Sequence, residues 1–149
     1  PMSFADDVKR WEAKALLAAN NSLCKATESL FTDEVVLSPV QPAANYATGL
    51  LKNSFYAMVG GGYDTTVGTV ADSNGTGSLS RIKAAMATQP FLGRDNIVTL
   101  TNSVPEAYRA DVLGWPLGEG ANGWIWSGKV KAYGFTSQAV NNFRGAYSP

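Results

Sequence analysis

The sequence predicts an α+β domain: a long N-terminal helix packed on a small antiparallel sheet, with one or two further short helices. Three observations support this fold class. Apolar residues recur at helical spacing over the first 31 residues, later segments rich in Val and Thr are typical of strands, and shorter amphipathic stretches lie around them. The chain has 149 residues, which fits one domain with its own core, so residues 1–149 are interpreted as a single unit.

The first predicted element is one helix over residues 3–31. Ser3 can cap its N-terminus, and Asp6 completes a capping box. Val35 to Leu37 could extend the helix, and Ser38-Pro39 ends it, because proline disfavours helical geometry in the preceding residue. At roughly 40 Å the helix is long for this domain, so we expect it to project or to lie along a partner. Its apolar stripe comprises Phe4, Val8, Trp11, Ala15, Ala18, Leu23, Ala26 and Leu30.

Residues 50–113 are predicted to contain the sheet and a second helix. Leu51 to Val59 and Tyr63 to Val70 have the pattern of two strands, and the three glycines between them predict a hairpin. A further strand is predicted from Asn96 to Asn102, where apolar and polar residues alternate. Together these segments indicate a small antiparallel sheet.

The remaining segments are predicted to be loops and short helices. Residues 72–77 are predicted to form a flexible loop, and Ser78 is predicted to cap a helix that runs to about residue 88. Pro105 to Leu113 fits either a short helical turn or a strand. Residues 114–132 form a Gly/Trp-rich loop, and a closing helix is predicted at about 136–144.

Composition excludes several kinds of chemistry. There is no histidine and only one cysteine, Cys24, so histidine-assisted nucleophiles, histidine metal sites, all-cysteine zinc sites and internal disulfides are ruled out. The 12 basic and 12 acidic side chains balance, which argues against general polyanion binding. We therefore predict no enzyme, no catalytic residue, no metal and no cofactor. We expect neither a secretion signal nor a membrane span, and a lone thiol suits a reducing cytosol.

Two polar clusters leave alternatives open. The loop around Asp72 and Asn74 precedes a helix and could hold a phosphate or an ion, but it lacks the Gly-Lys-Ser/Thr ending of a P-loop and the closing glutamate of a calcium loop. Glu106, Asp111 and Glu119 could supply a glycosidase-like carboxylate pair, which spacing alone does not establish. The adjacent acidic pairs, including Asp33-Glu34, are interpreted as solvated surface.

Aromatic residues are concentrated in the last 35 positions, a segment that is also rich in glycine. Core packing under an irregular loop and a protein–protein interface are both consistent with this enrichment. A sugar-binding or base-stacking role is a third interpretation, but it is weakened because few charged residues lie nearby. The residues concerned are Trp115, Trp124, Trp126, Tyr133, Phe135, Phe143 and Tyr147.

Several segments, taken in order, carry a family resemblance. Phe4 to Trp11 (FADDVKRW) opens the long helix, and Ser38-Pro39-Val40 follows it. Thr48 to Phe55 (TGLLKNSF) leads into a strand, and Ile97 to Tyr108 (IVTLTNSVPEAY) runs towards Gly114-Trp115. This order resembles the tail-completion, or neck, proteins of tailed bacteriophages, over about residues 4–115.

The sequence departs from that family's pattern in two places. Gln41 to Ala47 stand where the family usually has one acidic residue before Thr-Gly. After Trp115 the family usually closes with Gln-Ala-Pro and a short helix, whereas here residues 116–132 intervene. The resemblance therefore implies nothing about that loop.

The resemblance implies a structural virion protein that forms a ring, typically of six copies, at the head–tail junction. Its expected partners are further copies of itself, the connector or head-closure protein, the tail tube proteins and DNA that passes without sequence recognition. A tail terminator or other tail or baseplate ring component is the alternative, and a carbohydrate-binding module using the Trp-rich loop is less favoured. The expected location is the virion neck or tail, after synthesis in the host cytoplasm.

The expected interface residues combine aromatics with the turn and loop that could meet neighbouring subunits. They are Trp11, Phe55, Tyr63, Asp72, Asn74, Trp115, Trp124, Trp126, Tyr133, Phe143 and Tyr147.

Overall fold

The computed structural model describes residues 2–40, 48–93, 97–113 and 133–147. Its fold is α+β, as predicted: a long N-terminal helix, a two-stranded antiparallel sheet and shorter helices. The helices are α1 (Phe4–Leu37), α2 (Thr76–Ala87) and α3 (Phe135–Tyr147), and the strands are β1 (Phe55–Val59) and β2 (Val98–Asn102). Pro90–Leu92 form a short 3-10 turn and Arg109–Leu113 a π-helical turn, so the helical alternative for the latter segment is confirmed.

Helix α1 begins where the sequence predicts and ends later than residue 31. Ser3 is its N-cap, and the capping box with Asp6 is present. The helix continues to Leu37, and the Oγ of Ser38 donates a hydrogen bond to the Val35 carbonyl at 2.7 Å. Val35 is fully buried, so tertiary packing keeps the last two turns helical until the proline stops them.

The predicted hairpin between Leu51–Val59 and Tyr63–Val70 is wrong. Strand β1 pairs antiparallel with β2 instead, with Phe55 opposite Asn102 and Val59 opposite Val98. The second segment forms no ladder with either strand; near its start, two backbone carbonyls accept hydrogen bonds from threonine hydroxyls of β2. Thr99 Oγ1 donates to the Gly62 carbonyl at 2.6 Å, and Thr101 Oγ1 donates to the Asp64 carbonyl at 2.5 Å.

The predicted cap of the second helix is also wrong. Helix α2 starts at Thr76, preceded by Gly75 in a left-handed conformation at φ +66°. Ser78 is buried, and its Oγ accepts the backbone N–H of Phe55 at 3.0 Å. The first α2 amides are capped from elsewhere: Asn53 Oδ1 accepts the Gly77 and Ser78 N–H groups. A capping pattern within one segment cannot reveal caps supplied by a distant residue.

The segment before β1 is a turn rather than the start of a strand. Leu51 is fully buried, and the Asn53 N–H donates to the Gly49 carbonyl at 3.0 Å. Gly49 has φ +82°, and a Cβ there would run into the backbone of Asp72. The Asn102 side chain donates to the Leu51 carbonyl at 2.8 Å. Residues that carry the family resemblance, at 48–55 and 97–108, thus hold this turn, α2 and the sheet together.

The core lies where the C-terminal half of α1, the sheet, α2 and α3 meet. The rings of Phe55 and Phe135 contact edge to face, with centroids 6.1 Å apart. Helix α3 is longer than the predicted 136–144 and packs on α1. The buried cluster comprises Phe31, Val35, Leu51, Phe55, Ile82, Val104, Ala110 and Phe135.

Candidate interaction surface

The N-terminal half of α1 projects from the folded body. Every described residue before Asn20 is exposed, and Asn20 is 1% exposed. Asn20 marks the point of departure: its Oδ1 accepts the backbone N–H of Phe91 at 3.2 Å. The projecting part, from Phe4 to Ala19, is about 24 Å long at a rise of 1.5 Å per residue. The expectation that the helix projects is confirmed by this geometry.

The projecting half presents large apolar side chains to its surroundings. Phe4 is 85% exposed and Trp11 is 72% exposed, and the exposed Val8 lies on the same face; Leu16 and Leu17 are exposed on other faces of the helix. Single exposed apolar residues are ordinary, but a contiguous group on one element indicates a surface that another molecule covers. We call the side chains of Phe4, Val8, Trp11, Ala15 and Ala18 the N-terminal stripe.

The N-terminal stripe points away from the body. Phe4 and the buried Phe31 are 27 positions apart, which is about 7.5 turns and hence half a turn in azimuth. Val8 and the buried Val35 are separated by the same 27 positions. The face of α1 that packs on the core is therefore opposite the face that carries the stripe. The described body of the same chain lies on the wrong side of the helix to cover it.

The adjoining segment of α1 is almost devoid of charge. No Asp, Glu, Lys or Arg occurs from Ala15 to Cys24, although eight of those ten residues are exposed. A helix that stays in water normally carries charged residues on its solvent face. The exposed residues of this segment therefore lack the charged side chains that are usual on a solvated helix face.

A cluster of polar side chains lies between α1 and α3. Thr136 joins two carboxylates: its Oγ1 donates to Glu34 Oε1 at 2.9 Å, and its backbone N–H donates to Asp111 Oδ1 at 3.0 Å. Burial raises the pKa of the Glu34 carboxyl. The hydrogen bond from Thr136 lowers this pKa in part, and the negative charge of Asp111 raises it further. Asp111 caps the first turn of α3, so the arrangement is one that fixes α3 against α1.

Among the carboxylates considered for a hydrolase, Asp111 takes part in the contact between α1 and α3. Asp111 lies with Glu34, a residue that the sequence interpretation assigned to solvated surface. Glu119 is outside the described residues, and the Glu106 carbonyl accepts the Ala110 amide within the turn. Only the packing of α1 on α3 unites Glu34 with Asp111, so no local pattern could have predicted the contact.

The Asp72 loop is a hydrogen-bonded turn rather than the predicted flexible loop. Asp72 Oδ1 accepts the Asn74 amide at 2.9 Å, and Oδ2 accepts the Thr76 amide at 2.9 Å. These bonds lower the pKa of the Asp72 carboxyl. The carboxylate therefore stabilises the turn and the start of α2, which accounts for the acidic residue without a bound ion.

The other predicted interface residues fall into three groups. Tyr63, Tyr133 and Tyr147 are exposed, and the Phe143 ring lies 4.8 Å from that of Tyr147. Phe55 instead lies in the core at 2% exposure, so its ring is not offered to a partner. Three predicted residues lie outside the described residues: Trp115, Trp124 and Trp126.

Cys24 lies at the edge of the body and is half-buried. Its Sγ is 3.8 Å from the Met86 carbonyl oxygen, and burial, then the charge of Glu28, raises the pKa of the thiol. A raised pKa keeps the sulfur as a thiol, the form that is a poor nucleophile.

Two classes of site are absent from the described ranges. Within residues 2–40, 48–93, 97–113 and 133–147, no three His, Cys, Asp or Glu side chains are placed to hold a metal ion. None of the helices there combines the length and the apolar composition that crossing a bilayer requires. The candidate surface in the described structure is the projecting half of α1, because it exposes large apolar side chains.

Comparison of the chain with protein-family models, curated proteins and solved structures finds no match.

Proposed function

We propose that this protein is a structural component of a phage virion, which assembles into a ring at the head–tail junction and lets DNA pass through the channel. The order of motifs along the chain supports the kind of assembly. The observation that carries the proposal is the N-terminal stripe, which is exposed and faces away from the subunit's own core. A subunit built this way has an unsatisfied apolar surface until neighbours surround it.

The ring requires contacts between different surfaces of adjacent copies, because a head-to-tail contact that closes on itself generates cyclic symmetry. The projecting half of α1 is one such surface. The edge strands of a two-stranded sheet offer a second, since both β1 and β2 have a side without a ladder partner among the described residues. We expect six copies, as in the family that the motifs resemble.

The charge of the chain is compatible with a DNA channel. With 12 basic and 12 acidic side chains, the subunit carries no formal net charge. Tight binding of DNA needs clustered Lys and Arg that release counterions. A neutral subunit would let the duplex slide, which suits a conduit rather than a DNA-binding protein.

The test is cryo-electron microscopy of tailed particles that contain this chain, together with native mass spectrometry of the released neck. The expected result is a closed ring of identical subunits between the head connector and the tail tube, with the projecting half of α1 in contact with neighbours. A chain found only at the far end of the tail would assign it to a terminator or baseplate ring. Particles without the chain would contradict the proposal.

A matched pair of variants connects the ring with the surface. Trp11→Ala should leave the subunit folded, since the side chain is 72% exposed, and should reduce incorporation into particles at least tenfold, because buried Trp residues dominate interface energies. Lys9→Ala, on a different face of the same helix segment, is the control and should be incorporated normally. Equal incorporation of both variants would show that the stripe is not a ring contact.

A further inference from the structure

We propose that the free protein pairs with a second copy of itself through antiparallel packing of the projecting halves of α1. The inference concerns the chain before assembly and does not depend on the proposed ring. A two-fold antiparallel pair is self-closing and cannot by itself build a ring. In a ring the same stripe would meet a neighbour instead, so the pair and the ring would compete for it.

The spacing of the N-terminal stripe is that of a helix-pair seam. Its members follow one another at intervals of four, three, four and three residues, and Ser22 continues the series. These are the a and d positions of a heptad repeat, which place a narrow apolar seam along one side of a helix. A helix that packs on a broad globular core shows a wider apolar face. The stripe therefore fits a single partner helix.

The sizes of the seam residues favour an antiparallel partner. The seam is bulky at its start, with Phe4, Val8 and Trp11, and small at its end, with Ala15 and Ala18. Antiparallel packing brings a positions against d positions, which places Phe4 of each copy beside Ala15 of the other and Val8 beside Trp11. Parallel packing would crowd bulky residues together at one end and leave a gap at the other, against the close packing of protein interfaces.

The charges beside the seam select the same orientation. Asp7 and Lys14 are seven positions apart and therefore lie on one edge of the seam, whereas Glu12 lies on the opposite edge. Antiparallel helices bring the same edge of each copy together, so Asp7 would face Lys14 of the second copy in two symmetrical pairs. Parallel helices bring opposite edges together and would place Asp7 against Glu12, two like charges.

The pair should be weak and dependent on concentration. The seam spans fewer than three heptads, and short unsupported helices are marginal in water. Each exposed opposite-charge pair contributes on the order of a two- to fivefold change in an association constant. These magnitudes predict a pair that forms at high protein concentration and dissociates when the same surface is bound in a larger assembly.

The test is sedimentation equilibrium of the full-length chain at low ionic strength. The expected result is a monomer–dimer equilibrium. Lys14→Glu should weaken the dimer about tenfold, because it turns both attractive pairs into repulsions. Asp7→Lys should weaken it to a similar extent, and the double variant Asp7→Lys/Lys14→Glu should restore it. Lys9→Glu, which makes the same change in charge away from the seam, is the control and should have little effect.

Other outcomes would overturn the proposal. A chain that stays monomeric at millimolar concentration has no such pair. A dimer that Asp7→Lys strengthens, and Lys14→Glu leaves unchanged, is parallel rather than antiparallel. A dimer that responds to neither Lys14→Glu nor Asp7→Lys uses another surface. Each of these results leaves the particle experiment on the ring unaffected, so the two proposals fail separately.

Discussion

The two halves of α1 share one continuous backbone and meet different environments. The C-terminal half, from Asn20 to Leu37, contributes Phe31 and Val35 to the core. The N-terminal half carries residues just as apolar, including Phe4 and Trp11, and leaves them exposed. The same residue types therefore stabilise the fold in one half and remain available for a partner in the other. Apolar content alone does not distinguish a core helix from an interface helix, but the azimuth of the apolar residues relative to the body does.

The largest effect should come from a matched pair of phenylalanines, one in each half. Phe31→Ala removes a ring that is 8% exposed, and it should lower the free energy of unfolding by about 3–5 kcal/mol. Phe4→Ala removes a ring that is 85% exposed and should change it by less than about 0.5 kcal/mol. Urea denaturation, at concentrations where the chain is monomeric, measures both. Similar losses in the two variants would mean that the N-terminal half is covered by its own chain.

A smaller effect should come from the glycine that lets α1 approach the start of α2. A Cβ at Gly75 would lie 2.8 Å from Val35 Cγ1 and 2.9 Å from Lys52 Cγ, and the residue has φ +66°. Gly75→Ala should therefore cost about 2–4 kcal/mol, from backbone strain and overpacking together. Gly134→Ala has a closely similar φ of +61° and meets nothing within 4 Å, so it isolates the backbone strain. Equal losses of stability in the two variants would mean that packing against Val35 does not contribute to the effect.

The smallest effect should be the pH dependence of stability that comes from Glu34, in the C-terminal half of α1. Burial raises the folded-state pKa of this carboxyl above its ordinary value of 4.5. The folded state therefore binds the proton more tightly than the unfolded state does. As a result, the free energy of unfolding falls as the pH rises from the ordinary pKa to the folded-state pKa. Glu34→Gln removes this loss while keeping an oxygen that accepts the Thr136 hydroxyl.

The measurement is thermal unfolding of the wild type and Glu34→Gln across pH. The variant should be the more stable protein at pH 7, and its advantage should disappear below about pH 4. Glu12→Gln, on the exposed half of α1, is the matched control and should not alter the pH profile. A wild type that is the more stable protein at pH 7 would contradict the sign of this account.

The sequence predicts the helical elements well because their signals are local. The capping box at Ser3 locates the start of α1, and alternation locates β2. The predicted end of α1 at residue 31 is too early, because burial of Val35 keeps the chain helical to Leu37. The strand pairing was not predictable, since Tyr63 to Val70 has the composition of a strand but forms no ladder, and the Asp64 carbonyl accepts a threonine hydroxyl of β2 instead. The same limit applies to the cap of α2, because Asn53 supplies it from 24 positions away.

The candidate surface was only partly predictable. Trp11 and Tyr63 are exposed as expected, whereas Phe55 belongs to the core. A helical stripe shows that a face is apolar but not which side of the helix the body occupies, and that information comes from tertiary packing. The contact of Glu34 with Thr136 depends on residues 102 positions apart, which explains why the acidic pair at 33–34 was interpreted as solvated.

The central claim is that the projecting half of α1 is an interface, and peptide-resolved hydrogen exchange tests it most directly. In dilute free protein, amides from residues 4–19 should exchange rapidly, while those from 20–37 are protected by the core. At high concentration, and in assembled particles, residues 4–19 should become protected and residues 20–37 should change little. Exchange in residues 4–19 that stays rapid in both states would contradict the claim.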